Sequence, residues 1–335
     1  MSDKLRIGLI GLGNQGMEYL EGQQYCDQLE IVAGCDLNDK QREDVAKKWP
    51  DMILAKDHSA LGQLDLDGII MALPHHIYAK IWDSVLEWKL PIMKEKPLGR
   101  SLPEARSFVH KARMKHCPLQ TAIQRRDHPS YQRLAEELKD KKVSDIILVM
   151  NLGFKKSDHD TWRDSKTSSG GGALLDSGYH MVDLALFLVG QFDLLSATLW
   201  QDDVLCNPSA GDVEDAMQII GRQANTWVYI QSRRFLDKNG GSPKREDVIV
   251  HTDQGIFSAN REGVWEGVPG KGKLIYQCAR DWNSAMGSQL DDFAQLIHNK
   301  ALEYDKYWDQ LPAQKIIQQA YQLSANWYGE HHEPH

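Results

Sequence analysis

The chain has 335 residues, of which 41% are hydrophobic and 26% charged, the profile of an ordinary globular protein. A formal net charge of −8 and the lack of any long Lys/Arg run argue against nucleic acid or an anionic membrane surface as the main partner. The length exceeds what one hydrophobic core usually supports, so two domains are expected.

LRIGLI (5–10) is a compact apolar run, followed at once by GLGNQG (11–16) and the helix-compatible MEYLEGQQ. Strand, glycine turn and helix in that order are what make a GxGxxG match informative. Gly11 permits the tight turn, Gly13 lets the backbone approach a pyrophosphate, and Gly16 allows helix and strand to pack closely. Asn14 and Gln15 open the helix, whose N-terminal N–H groups face the phosphates. A second strand, LEIVAGCD (29–36), ends in Asp36, twenty residues beyond Gly16. A carboxylate there accepts bonds from ribose hydroxyls and repels a 2′-phosphate, which favours NAD over NADP, although Lys40 and Arg42 lie near.

The alternation continues. DGIIMALP (67–74), PIMKEK (91–96) and PLQTAIQ (118–124) read as strands, separated by the helices HIYAKIWDSVLEWK and SLPEARSFVHKARMKH. Such repetition predicts a parallel sheet with helices on both faces, binding its ligand beyond the carboxyl ends of the strands. Leu73, Pro74, His75, His76, Glu95, Lys96 and Gln124 occupy those ends. Adjacent histidines lack metal-ligand spacing and no third ligand is evident, so no metal is expected.

Past residue 142 the pattern changes. VSDIILVMNLGF (143–154), LSATLWQ (195–201), EDAMQIIGR (214–222), TWVYIQSRR (226–234), EDVIVHT (246–252) and KLIYQC (273–278) read as strands with short connections, as in an antiparallel sheet. DKNGGSPKRED (237–247) reads as a surface loop, SQLDDFAQLIH and QLPAQKIIQQAYQLSANW as helices, and the tail GEHHEPH as disordered. The expected fold class is α/β, with a dinucleotide-binding domain over 1–124 and a second α/β domain over 125–335. Five scattered cysteines without CxxC spacing fit reduced thiols. No apolar run approaches the roughly 18 residues of a membrane-spanning helix, and the opening MSDKLRIGLIGLG is no secretion signal, so a cytoplasmic protein with no membrane partner is expected.

Residues 168–184, SSGGGALLDSGYHMVDL, predict a helix apolar on nearly every side. At about 100° per residue, Asp176, His180 and Asp183 fall within roughly 60° of one another. Two readings stand: a satisfied core network in which Asp176 orients His180, or an acid/base pair lining a site.

GLGNQG, KEKPLG (94–99), WR (162–163) and GGGALLDSGYHMVD (170–183) together resemble the glucose–fructose oxidoreductase/inositol dehydrogenase/rhizopine-catabolism (Gfo/Idh/MocA) family. The resemblance spans nearly the whole chain. It implies an N-terminal Rossmann domain and a C-terminal α/β domain with an open, mostly antiparallel sheet that commonly forms a dimer or tetramer interface. It also implies NAD(P)-dependent hydride transfer at a secondary alcohol of a sugar or cyclitol, with Lys96, Asp176 and His180 as reaction centre and a cis Lys96–Pro97 bond. Trp162 and Arg163 match the family's substrate region; Gln124, Arg125, Arg126 and His159 are further candidates for holding substrate or nicotinamide. The paired arginines suit a carboxylate or phosphate, or equally a surface ion pair. Asp183 reads as structural. One departure concerns the segment after the fourth strand, where Pro-Asn-x-x-His is usual. This chain has Pro74-His75-His76-Ile77-Tyr78. The fold also serves imine and tetrapyrrole reductases and non-catalytic dinucleotide sensors, which need not keep the three reaction-centre residues.

Overall fold

The computed structural model describes residues 4–154, 162–207, 211–236, 244–278, 282–299 and 310–332. The first part of the chain runs β1 (Leu5–Ile10), α1 (Asn14–Gly22), β2 (Leu29–Cys35), α2 (Asp39–Lys48), β3 (Ile53–Ala55), β4 (Gly68–Met71), α3 (His75–Leu86), β5 (Ile92–Glu95), α4 (Leu102–Met114) and β6 (Leu119–Ala122). Then come α5 (Pro129–Leu138), β7 (Val143–Phe154), α6 (Lys166–Ser169), a π-helical turn (Leu174–Gly178), α7 (Tyr179–Val189), β8 (Asp193–Gln201) and β9 (Val204–Leu205). The remainder is β10 (Ala216–Gln223), β11 (Thr226–Leu236), β12 (Arg245–Thr252), β13 (Gly255–Asn260), β14 (Gly263–Glu266), β15 (Lys273–Gln277), α8 (Trp282–Asn299) and α9 (Gln310–His332).

The chain divides into two compact units. One comprises Met1–Gly99, Pro103–Asp127 and Arg280–Asp309; the other comprises Arg100–Leu102, His128–Ala279 and Gln310–His335. The expected domain of residues 125–335 therefore yields α8 to the first unit. Its Met286, Leu290, Phe293 and Ala294 complete a core with Ile7, Leu9, Leu20 and Ile31. Two glycines let α8 approach closely: a Cβ on Gly22 would stand 2.6 Å from Met286 Cβ, and one on Gly287 would stand 2.5 Å from Tyr25 Cβ. An apolar helix face announces that it is buried but not which surface buries it.

In the first unit six strands form one all-parallel sheet in the order β3-β2-β1-β4-β5-β6. Burial is nearly complete along β4, β5 and β6, as expected when helices cover both faces. The order reverses direction between β1 and β4, which defines the ligand crevice of such sheets. Asn38 caps α2 by accepting the Lys40 amide at 3.0 Å.

The second unit is a nine-stranded sheet in the order β15-β14-β13-β12-β7-β11-β10-β8-β9. Among the described residues of this sheet, β7 and β11 alone pair in parallel and the other pairings are antiparallel. Register aligns one buried row: Val250 and Val228 flank Ile146, and Val248 and Ile230 flank Leu148. The opposite face carries a second row, Ile249, Ile147, Tyr229 and Ile220, which is only half-buried. Strands β13 and β14, four to six residues around Asn260-Arg261-Glu262, are too short for alternation to betray them.

Other expectations change in detail. Lys166–Val189 is long and apolar enough to cross a membrane by composition, contrary to the reading that no run approaches that length, and 72% of its apolar window is buried within the protein. Helix α9 continues to His332, so the tail expected to be disordered begins as helix. Most of the expected loop at 237–247 and the candidate His159 lie outside the described residues, although β12 already starts at Arg245. Cys26, Cys35, Cys117 and Cys206 are free, buried thiols.

Candidate active site

In the first unit the glycines of the β1–α1 turn divide their roles. Gly11 has φ +98°, a conformation open to glycine, and a Cβ there would lie 2.2 Å from the Ala72 carbonyl oxygen. A Cβ on Gly16 would stand 2.2 Å from the Gly11 oxygen, so strand and helix pack backbone to backbone. Gly13 is different: a Cβ there would meet nothing within 4 Å. It occupies the N-cap of α1, no side chain caps the helix, and no acidic residue stands in its first turn. The space above Gly13 and the open helix end therefore suit an anionic ligand such as a pyrophosphate. Gln15, beside it, donates to Glu18 at 3.1 Å.

Asp36 lies just beyond β2. Its Oδ2 accepts the Leu12 amide at 2.9 Å and its Oδ1 the Asn38 amide at 2.8 Å, which fixes the carboxylate beside the glycine turn. Arg42 turns back onto the Asp36 carbonyl oxygen and pairs with Asp39. Leu73 and Pro74 follow β4, Pro74 forming the N-cap of α3 and His76 standing in its first turn. Tyr78, where the resemblance leads one to expect His, is buried; its hydroxyl accepts the Leu73 amide and donates to the Met71 carbonyl, each at 3.0 Å.

At the end of β5 the chain reads Lys94-Glu95-Lys96-Pro97, and the Lys96–Pro97 bond is cis. Glu95 is buried. Tyr19 donates its hydroxyl to Oε1 at 2.5 Å, the Lys96 amide donates to Oε2 at 3.1 Å, and Gln124 lies 3.5 Å from Oε1. Burial pushes the Glu95 carboxyl up to about 7, against the Tyr19 hydrogen bond and the Lys96 charge, both of which pull it down. Arg125 is only 3% exposed, which removes the surface-ion-pair reading for that arginine, and Arg126 follows it half-buried.

In the second unit Asp176 lies on the π turn and His180 in the first turn of α7. The Gly178 amide bonds back to the Ala173 carbonyl at 2.7 Å, five residues away. The uniform winding assumed from sequence therefore fails at Asp176, and such single π turns recur at functional sites. A buried glutamate holds the turn. Glu214 Oε1 accepts the Leu174 amide at 2.9 Å and the Tyr321 hydroxyl at 2.7 Å, and burial raises its carboxyl above the ordinary range. The glycine run before the turn is a consequence of this packing. A Cβ on Gly171 would stand 1.9 Å from the Tyr321 oxygen, and one on Gly172 would stand 1.9 Å from the Glu214 carbonyl oxygen.

Two guanidinium groups face Asp176 Oδ2, Arg234 at 3.6 Å and Arg163 at 3.8 Å, and Arg163 also lies 4.4 Å from the Trp162 ring centroid. Arg234 further approaches Asp164 at 3.9 Å. Sequence reasoning found Arg163 and Trp162 but not Arg234 or Glu214, which stand in strand-like segments with no local motif. His180 is 5% exposed. Asp183, expected to be structural, is fully buried and accepts from Gln310 at 2.7 Å. Thus Glu95, Lys96 and Gln124 are gathered in the first unit, while Asp176, His180, Trp162 and Arg163 belong to the second.

The oxidoreductase family with an NAD-binding Rossmann fold, GFO/IDH/MocA, matches residues 5–123, and the GFO/IDH/MocA C-terminal domain matches residues 131–257. The chain belongs to the GFO/IDH/MocA family of oxidoreductases. Among curated relatives, it is 26% identical over 192 residues to the rhizopine catabolism protein MocA of Rhizobium meliloti, covering 56% of this chain and 58% of that protein. It is 27% identical over 194 residues to D-glucoside 3-dehydrogenase of Escherichia coli (strain K12), covering 56% and 55%. The chain thus spans little more than half the length of these relatives. Among solved structures, levoglucosan dehydrogenase in complex with NADH superposes with a TM-score of 0.81 at 19% identity, covering 97% of this chain and 98% of that one.

Proposed function

We propose that this protein oxidises a secondary alcohol of a sugar, sugar acid or cyclitol to the ketone, or runs the reverse reduction, with NAD preferred over NADP. Support for the cofactor comes from the open space over Gly13 and from Asp36, already fixed by two amides and suited to ribose hydroxyls. A bound nicotinamide supplies the hydride acceptor, or the donor in reduction. The residues of the chain manage the proton and the charge. Oxidation takes a proton from the hydroxyl oxygen as the hydride leaves carbon. His180 accepts that proton, since imidazole ordinarily titrates near neutrality. Asp176 orients the imidazole and accepts a hydrogen bond from the substrate, its own charge balanced by Arg234 and Arg163. Lys96 stabilises the developing alkoxide. Gln124, Arg126 and Trp162 contribute to substrate binding. The names of relatives, a rhizopine catabolism protein, a D-glucoside 3-dehydrogenase and a levoglucosan dehydrogenase, support a substrate of the polyol class.

The observation that carries this reading is that one chain retains Lys96, Asp176 and His180 together with an intact glycine turn. The test is a panel of sugars, sugar acids and cyclitols assayed with NAD and NADP by absorbance of the reduced nicotinamide. At least one polyol turns over, and H180A lowers kcat by about 10²–10⁴-fold with dinucleotide affinity unchanged. Tight dinucleotide binding without turnover of any compound identifies a sensor instead. We further propose a cytoplasmic homo-oligomer, dimer or tetramer, built through the half-buried Ile249–Ile147–Tyr229–Ile220 face; light scattering after size exclusion measures its mass.

A further inference from the structure

Lys94 precedes the EKP segment on β5 and is 1% exposed, although Ile92 and Met93 just before it show that the strand accepts apolar side chains. A lysine at such a position is costly unless its ammonium is fully engaged. Here Nζ donates to the Glu95 carbonyl at 2.9 Å and to the Pro97 carbonyl at 2.6 Å. These two carbonyls bracket Lys96. The same ammonium lies 3.6 Å from the centroid of the Tyr78 ring and 5.8 Å from that of Phe108. Tyr78 is itself fixed, its hydroxyl bonded to main-chain atoms on both sides of the β4 terminus. A continuous set of contacts therefore runs from the end of β4, through an aromatic face and a buried cation, to the backbone that presents Lys96.

We propose that Lys94 is a positioning residue for Lys96, its ammonium holding the Glu95–Pro97 backbone against the Tyr78 ring. The inference rests on the reading of Lys96 as part of the reaction centre. The groups acting on Lys94 are Glu104 and Phe108 on α4, Tyr78 on α3, and Glu95 and Lys96 beside it. Burial pulls its ammonium down to about 7, while Glu104 and Glu95 act in the opposite direction and Lys96 adds to the fall. A neutral amine keeps N–H donors but loses the charge that strengthens the carbonyl bonds and the ring contact.

The test compares K94M and K96M with the wild-type chain by crystallography, dinucleotide binding and kinetics on the best polyol of the panel. In K94M the 95–97 backbone moves and Lys96 Nζ shifts by about 1 Å, with kcat down about 10- to 100-fold. Dinucleotide affinity and KM stay within about threefold, which marks lost positioning rather than lost binding. If K94M does not fold, K94Q, which keeps an amide donor without the charge, takes its place with the same expectations. A Lys96 superimposable on wild type, or a kcat within about twofold of it, overturns the inference. Wild-type kcat in K96M instead removes the reading of Lys96 on which it rests, and a K94M with wild-type kcat while K96M is impaired overturns the positioning role alone.

Discussion

Each unit holds its candidate chemistry on an irregular piece of backbone, and each secures that piece with a buried glutamate bonded to a buried tyrosine hydroxyl. In the first unit Glu95 takes the Tyr19 hydroxyl on one oxygen and the Lys96 amide on the other. In the second, Glu214 takes both the Tyr321 hydroxyl and the Leu174 amide on one oxygen. The devices differ in reach: Glu95 is the chain neighbour of the residue it holds, whereas Glu214 lies 40 residues beyond Leu174. They differ also in electrostatics. Glu95 has Lys94 and Lys96 beside it, while Glu214 is approached by Tyr321 and main-chain amides. A carboxylate can thus be buried between flanking lysines or held chiefly by a hydroxyl and main-chain amides.

The glycines make the sharpest contrast. Gly172→Ala drives a Cβ into the Glu214 carbonyl and is expected to destabilise the protein by about 3 kcal/mol or more. Gly13→Ala meets no protein atom, so its melting temperature stays near wild type while dinucleotide affinity falls. Denaturant titration and calorimetric dinucleotide binding on both variants read this out; an unstable G13A would merge the two roles that the structure separates.

The electrostatic difference appears in pH dependence. Glu95 titrates near 7 when folded against 4.5 for an ordinary glutamate, so the folded chain holds a proton that the unfolded chain releases between those values. Stability from this group is complete below about 4.5 and is lost as pH rises through 7. Replacing Glu95 by Gln removes that loss. The E95Q-minus-wild-type difference should therefore grow in favour of Gln by roughly 2–3 kcal/mol across the window. Lys94 acts with opposite sign, since its folded value of about 7 lies below the ordinary 10.5 and stability rises with pH between them. Urea melts at pH 4.5, 7 and 9 test both limbs, and a parallel curve for E95Q contradicts the account.

The smallest expected effect is loss of a tyrosine hydroxyl. Y321F and Y19F each remove one bond to a buried carboxylate and should cost about 1–2 kcal/mol. Only Y321F should loosen the π turn, visible as faster amide exchange at Leu174 and Gly178.

Much of the first unit was legible because its signals are local. A strand, a glycine turn and a helix N-terminus adjoin in sequence, and Asp36 closes the next strand. The Lys96–Pro97 segment was legible for the same reason. In the second unit the Asp176–His180 spacing was visible, but uniform helical winding was not a safe assumption, because a π turn depends on which carbonyl each amide finds. GGG at 170–172 signalled a close approach without naming what approaches. Arg234 and Glu214 looked like ordinary strand residues, since an ion pair or a cap across dozens of residues leaves no periodic trace. Helix α8 was found as a helix but placed in the wrong unit, because amphipathicity carries no address.

The amino-acid sequence by itself determined the class of fold, the turn built for a dinucleotide and the candidate reacting groups, because each depends on short-range backbone preference and on residue chemistry at fixed spacing. Tertiary structure alone decided how those groups are held: a lysine enclosed against the Glu95 and Pro97 carbonyls, a glutamate bonded to the π turn, a guanidinium beside Asp176. These depend on desolvation and on contacts between distant segments, which exist only once the chain has closed on itself.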